Sequence, residues 1–504
     1  MRNISRRLAL ATPLLGYLAA KTQAQALAAG HYVMPAALVA ARKALDADNV
    51  KTIEYVGSGT WHLFGQSPSP SAPDPIYDVS SYTATINYET ASKRVLMLRP
   101  PAIIGRVLQK DPKPDIVDEY VSGDTSWVIM PVGGPGTGLP PTNIPEDKNV
   151  EERAMEIWAT PHGFLRAAAA HHATARAVKG GTEVTYIDGV HRFVGLINKR
   201  NEVARIRTWI DSPVLGDMLC EARFTGYRDF DGVLFPGHLV RDMGGKNRLD
   251  ITISSVKVNL PVDIVAPPAM RAAMGAPVKT SVDQLAPGVF WIRGFQWHSV
   301  AIEASDHIVM VDAPLSEARS IAVIEAAKKA IPGKPIKYLI NTHAHFDHSG
   351  GLRTYVDAGA IIVTMPVNAE YYARIWKTPH LISPDRLQRS KKQPKFLTVT
   401  NGKLVLDDPL RRVEVYHQVG TAHNVAMLNI YLPAEKMLIE ADGWNTESLA
   451  APKLQWSNPY IVNLKENFER YHIDVQQIIP LHGPRTGGIA EMNELAKLPV
   501  LGGK

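Results

Sequence analysis

The chain has 504 residues, of which 45% are hydrophobic and 21% charged, a formal net charge of +6 and a single cysteine, Cys220. That length exceeds one hydrophobic core and calls for two or three domains, and the composition excludes a bulk-disordered or collagen-like chain. One cysteine excludes an intramolecular disulfide and any cysteine-based zinc site, which leaves the 17 histidines as the nitrogen donors for a metal.

In chain order, residues 1–26 form a basic start (Arg2, Arg6, Arg7), an apolar run from Leu8 to Ala20 and a small-residue end, Ala24-Gln25-Ala26. This is the three-part layout of a secretory signal, with cleavage expected after Ala26 and a periplasmic or secreted location. Ser5-Arg6-Arg7-Leu8 resembles a twin-arginine signal but lacks its usual Phe. The apolar run is too short to span a bilayer, so no transmembrane segment is expected in the mature chain. The segment holds four cations and no acid, leaving about +2 on the remainder, so the charge gives no case for nucleic-acid binding.

Residues 27–262 are expected to form a β-rich accessory domain. A short helix is predicted over 31–48, then strands at Tyr82–Tyr88, Arg94–Leu98, Ile251–Ile253 and Val256–Leu260. The phase slip at Ser254-Ser255 predicts a bulge. Pro131–Pro145 reads as a loop, and its Gly134, Gly136 and Gly138 lack the following Lys-Ser/Thr of a phosphate cradle. A helical block is predicted from Val150 to Lys179, with the adjacent His171 and His172 on the surface. Gly226-Tyr-Arg-Asp-Phe-Asp-Gly-Val-Leu-Phe-Pro236 and the strand to Leu260 resemble the LolA-like lipoprotein-carrier superfamily, which implies a curved antiparallel sheet over a helix.

A linker is expected over 263–280, followed by a catalytic domain over 281–504. Strands are predicted at Val289–Ile292, Val300–Ile302, Ile308–Val311 and Ile336–Ile340, with a helix from Leu315 to Ala330, the rhythm of a layered α/β domain. The last of these strands runs into His343-Ala-His345-Phe-Asp347-His348 and then Ser349-Gly-Gly351. Three imidazoles and a carboxylate on one strand-to-helix turn suit zinc, with iron or manganese as the alternatives. The basic stretch Arg386–Lys395 reads as a solvated face.

The His343-x-His345-x-Asp347-His348 pattern resembles the hallmark of the metallo-β-lactamase superfamily. Leu285–Ile292, Asp312, His423 in Thr-Ala-His-Asn, Asp442 in Glu-Ala-Asp-Gly and His482 in Leu-His-Gly resemble its other marks, in order. The resemblance implies an αββα sandwich. It implies two Zn2+ ions, one held by His343, His345 and His423, the other by Asp347, His348 and His482, with Asp442 bridging. Asp312 would orient a ligand from behind, and Asp347 and Asp442 would be catalytic, with a metal-bridging hydroxide as nucleophile. His417, His380 and His472 are competing ligands that the spacing does not favour. The third motif departs from the usual Gly-His-Thr/Ser, which puts the neighbours of His423 in doubt.

Substrate contacts are expected from Phe295–His298 (Trp297 above all), Tyr371, Tyr372, Trp376, Asn424 and Trp444-Asn445, whose character points to an apolar or aromatic small molecule. No sulfatase-specific or nucleic-acid-binding module is visible. The preferred reading is an exported zinc hydrolase of an ester, lactone or related carbonyl bond. The alternatives are a β-lactamase, a mononuclear-iron oxidoreductase, and a periplasmic carrier of a lipid or apolar ligand with an accessory metal domain.

Overall fold

A computed structural model describes residues 32–100, 115–131, 140–446 and 457–500. The signal segment, Gly134, Gly136 and Gly138 and most of the Gly-Pro stretch lie outside the described residues. No helix among those described is long and apolar enough to cross a membrane.

Residues 52–258 build one thirteen-stranded antiparallel sheet. The strands from Thr52–His62 to Pro141–Pro145 are neighbours in sequence order, as are those from Thr174–Val178 to Lys246–Val258. The two halves join where Thr52–His62 pairs with Lys246–Val258. In that pairing Val56 faces Ser255 and Gly57 faces Ile253, so Ser254 is the extra residue of the expected bulge. The helices Ala36–Ala44, Val150–Trp158 and Pro161–Ala170 cover one face, burying Leu38, Ile157, Phe164 and Leu165 against Tyr55, Phe193 and Phe235.

Several expectations change here. The helix expected over 31–48 is formed over Ala36–Ala44 only. The block expected to stay helical to Lys179 ends at Ala170, and Thr174–Val178 forms an edge strand; His171 and His172 are exposed. Pro141–Pro145, expected as loop, pairs with Thr125–Pro131 at the opposite edge, the position where a sheet tolerates proline. The stretch 263–280 is not a bare tether. Its helix Pro268–Ala273 buries Met270 beside Trp127.

The second half is a sandwich of a seven-stranded and a six-stranded sheet. Val300, Val311, Ile340, Val415, Ile430 and Ile479 fill the space between them. Helices Glu317–Ala330, Leu352–Asp357 and Pro366–Ile375 pack outside the first sheet, Pro459–Tyr471 and Ile489–Ala496 outside the second. This is the αββα layering expected. Two parallel pairings set where its loops converge. Val311 is level with Ile340, and Glu440 with Pro480, so the loops leaving these strands emerge side by side.

His162 ties the first unit together. It is fully buried, its Nε2 meets the Leu45 carbonyl at 2.9 Å, and burial lowers its pKa to about 4. A depressed histidine leaves the folded state neutral while the unfolded chain takes up a proton below about 6.5. Its contribution is therefore intact above that value and declines as pH falls towards 4, by about 3 kcal/mol in total. Thermal unfolding of His162→Gln should show a weaker loss of stability between pH 7 and pH 4.5 than wild type; parallel curves would contradict this.

Candidate metal centre

The loops at the ends of those parallel strands bring five histidines and two aspartates together. His343, His345 and His423 have donor atoms within 4.8 Å of one another, as do Asp347, His348 and His482. Between the trios stands Asp442. Its Oδ2 lies 3.6 Å from His343 Nε2, 3.0 Å from His348 Nε2 and 3.4 Å from His423 Nε2, and its Oδ1 lies 3.4 Å from His482 Nε2. A third group, His343, His348 and Asp442, meets the same distance and links the two trios. His417, His380 and His472 are not in the cluster; His417 Nε2 meets the Val425 carbonyl at 2.8 Å instead.

Each loop is fixed from behind. Asp312 follows the strand Ile308–Val311 in a left-handed conformation (φ 56°), which aspartate tolerates. Its fully buried carboxylate accepts from Thr342 N, Thr342 Oγ1 and His348 Nδ1, all at 2.7 Å. Asn341 donates to the His343 carbonyl at 2.8 Å and accepts from Tyr372 OH at 2.8 Å. Asp442 is likewise left-handed (φ 60°), its turn closed by Glu440, whose carboxylate accepts from Gly443 N and Trp444 N. Burial first and Asp442 second raise Glu440 to about 8, so it is largely protonated at neutral pH.

The outward hydrogen bonds decide which nitrogen of each ring faces inward. Thr342 Oγ1 gives its hydrogen to Asp312, so it accepts from His343 Nδ1 at 3.1 Å. His348 Nδ1 donates to Asp312, and His482 Nδ1 donates to the Gln296 carbonyl at 2.8 Å. His345 Nε2 donates to the Ser67 carbonyl at 3.0 Å, and its buried Nδ1 makes no hydrogen bond. Four imidazoles therefore direct their remaining nitrogen towards one small volume, with His348 and His482 Nε2 hydrogen-bonded at 2.8 Å. Such a donor set could hold metal, and its nitrogen and carboxylate ligands suit a divalent cation such as zinc.

Electrostatics agree. Burial, with the neighbouring imidazoles second, pushes His343 well below its ordinary value, and burial and His423 bring His345 to about 3. For His348 burial again lowers the pKa but is outweighed by Asp347, Asp442 and Asp312, so it stands well above the usual range. The carboxylates demand positive charge at this point, which a proton or a metal cation can meet.

A cavity of about 2020 Å³ opens from the cluster and runs between the two units. Asp347, His423, Asp442, His482, Trp297 and Tyr460 face it from one side, and Phe64, Ile76, Ile116 and Met130 from the other. Of the substrate contacts expected from sequence, Gln296, Trp297 and Asn445 line it. Trp297 also donates from Nε1 to Asp347 Oδ2 at 3.1 Å, so it bears on a ligand as well.

The remaining candidates are placed elsewhere. Tyr372 is fully buried and supports Asn341. Tyr371 and Trp376 pack with it, and Trp444 is buried among the core of the second sheet. Asn424 is buried and donates to the Ser67 carbonyl at 3.1 Å. Phe295 is exposed and His298 is buried, its Nε2 bonded to the Gly483 carbonyl at 2.7 Å. None of Tyr371, Tyr372, Trp376, Asn424, Trp444, Phe295 and His298 is among the described lining residues. At Tyr371, Tyr372, Trp376 and Trp444 the aromatic spacing marks packing. Sequence reasoning missed Tyr460 and Gln66, which carry no motif signal.

With this geometry in view, residues 292–442 match the family model of the metallo-beta-lactamase superfamily. Over 90 residues the chain is 30% identical to a linear primary-alkylsulfatase of Pseudomonas sp, a match that spans 17% of this chain and 13% of that relative's length. Among solved structures, the metallo-beta-lactamase from Pontibacter korlensis is 17% identical with a TM-score of 0.33, covering 44% of this chain and 98% of its own. The sec-alkylsulfatase Pisa1 from Pseudomonas sp. is 16% identical with a TM-score of 0.32, covering 43% and 40%. The C-terminal half thus carries a metallo-β-lactamase-type domain, a fold whose matched relatives are hydrolases.

Removing Asp312 strips His348 and Thr342 of their shared acceptor. Asp312→Ala should weaken metal binding about 10–100-fold in a chelator-competition titration. Wild-type affinity in that variant would contradict the role drawn here.

Proposed function

We propose that the protein is an exported hydrolase holding two divalent cations, zinc foremost, and cleaving an ester, lactone or related carbonyl bond in a substrate with an apolar or aromatic part. The observation that carries this reading is the division of the donors into two trios with Asp442 between them. Held by these residues, two such cations would supply an activated water and polarise the scissile bond.

The chain's own groups supply the remainder. Asp347 is the candidate base. Burial opposes its ionisation, but His348 and His482 outweigh that and hold its carboxyl well below the ordinary range, so it stays an acceptor at neutral pH. Tyr460 faces the cavity beside His423, with ring centres 5.4 Å apart, and burial followed by Asp442 raises its hydroxyl to about 12. It therefore keeps its proton and is placed to donate to an oxygen that gains negative charge.

The apolar part of the substrate would lie against the far wall. Ile76 and Ile116 are 59% and 55% exposed, yet they line this cavity rather than stand singly on the surface. A volume of about 2020 Å³ exceeds the roughly 300–1,000 Å³ usual for drug-sized ligands and leaves space for a long chain or fused ring. The similarity to an alkylsulfatase over 90 residues favours a second reading, in which the scissile group is a sulfate ester.

The test is metal content per chain together with turnover of aryl esters, lactones, alkyl sulfates and cephalosporins, with and without chelator. About two zincs and chelator-sensitive ester or lactone hydrolysis, lost in Asp442→Ala, are expected. Within a series of acyl chains kcat/KM should rise up to about fourfold per methylene, the equivalent of about 0.8 kcal/mol each. Turnover of alkyl sulfates alone would favour the second reading. A single iron with no hydrolysis would overturn both, in favour of oxidoreductase chemistry.

A further inference from the structure

The hairpin loop between the strands Thr52–His62 and Ile76–Asn87 leaves the N-terminal sheet and enters the metal centre. Phe346 N, at the start of the short ligand-bearing helix, donates to the Gly65 carbonyl at 3.1 Å. The Ser67 carbonyl accepts from His345 Nε2 at 3.0 Å and from Asn424 Nδ2 at 3.1 Å. Val425 N donates to the Pro68 carbonyl at 2.8 Å, and Gln66 Nε2 donates to Asp347 Oδ1 at 2.7 Å.

The loop is stiff. Ser67 and Asp74 are buried, Ser67 Oγ donates to Asp74 Oδ1 at 2.6 Å, and Lys246 reaches Ser67 Oγ, Asp74 and the Ala72 carbonyl. Its approach to the helix is close. Gly65 has φ +81°, and a Cβ there would stand 2.6 Å from Phe346 Cγ. Phe64 stacks edge-on to Phe346 with ring centres 5.3 Å apart.

Two of these contacts act on metal-facing atoms. A carbonyl oxygen can only accept, so Ser67 requires the hydrogen of His345 to sit on Nε2 and leaves Nδ1 as the inward lone pair. Asp347 Oδ2 faces His348 and His482, each at 3.6 Å, while Gln66 occupies Oδ1. The amide thereby fixes which oxygen turns inward, and Trp297 on Oδ2 completes the clamp.

We propose that the N-terminal unit is a working part of the metal centre, with Gln66 as a positioning residue for Asp347 and the Ser67 carbonyl setting the tautomer of His345. The proposal rests on the two-cation reading above. It gives residues 27–262 a role at the reacting centre in addition to forming the cavity wall, and it predicts that the two cation positions depend on this loop differently. Gln66 bears on the Asp347, His348 and His482 position; Ser67 bears on the other.

The experiment is Zn2+ titration of the full chain against a chromophoric chelator, for wild type, Gln66→Leu and Gly65→Ala. Gln66→Leu keeps the bulk and removes the donor. It should weaken one of the two Zn2+ ions about 10–100-fold and leave the other within about twofold. Its kcat on the best ester should fall while KM stays within about twofold, because the substrate's apolar part is still held. Gly65→Ala, which displaces the whole loop, should weaken both ions.

The thermal midpoint of the metal-free protein should be unchanged in Gln66→Leu, which separates positioning from general destabilisation. Two tight Zn2+ ions in Gln66→Leu with wild-type kcat would overturn the proposal while leaving the metal reading intact. A wild-type chain that takes up no Zn2+ would overturn both.

Discussion

An imidazole can present a lone pair to a cation only if its other nitrogen keeps the hydrogen, and in this molecule that hydrogen is fixed in place by a partner outside the cluster. Thr342 does so for His343, Asp312 for His348, Gln296 for His482 and Ser67 for His345. The rest of the architecture can be understood as the means of holding those four acceptors still. Asp312 and the 341–348 turn leave neighbouring parallel strands, whose register brings Val311 beside Ile340. Asp442 and His482 leave a second parallel pair two residues after Glu440 and Pro480. Two sheets packed on one apolar layer then bring the two loop pairs face to face.

The fourth acceptor comes from elsewhere. Ser67 belongs to the thirteen-stranded sheet's unit, so the centre is closed only when the two units are docked. A second contact supports the docking, with Asp217 N donating to the Pro379 carbonyl and the Asp217 carboxylate accepting from Leu381 N and Ile382 N. The same docking creates the cavity, one wall polar and ligand-bearing, the other apolar. The candidate centre and the cavity beside it thus arise from one interface.

The sequence exposed some of this and hid the rest for definable reasons. His343, His345, Asp347 and His348 were legible because four metal-binding side chains in six residues after a buried strand have no ordinary structural use. Asp312, His423, Asp442 and His482 were legible through order and through the strand preceding each. Ser254 declared its bulge by a break in alternation. Gln66 and Ser67 were silent, since a Gly-Gln-Ser-Pro stretch has the composition of any surface turn and its target lies about 280 residues away. Tyr372 and Trp444 misled because an aromatic residue near a motif looks the same whether it faces substrate or, as here, props Asn341 or fills a core. Pro141–Pro145 reads as loop because proline's bar on strands relaxes only at a sheet edge, and an edge position leaves no mark in the sequence.

The central claim is that inward lone pairs from both trios hold two cations around Asp442. Diffraction from zinc-loaded crystals, with anomalous maps on either side of the zinc edge, tests it most directly. The account predicts two zinc peaks about 3.5–4 Å apart, one within reach of His343 Nε2, His345 Nδ1 and His423, the other within reach of Asp347 Oδ2, His348 Nε2 and His482 Nε2. A single peak, or zinc bound through His345 Nε2 with the Ser67 contact broken, would contradict it.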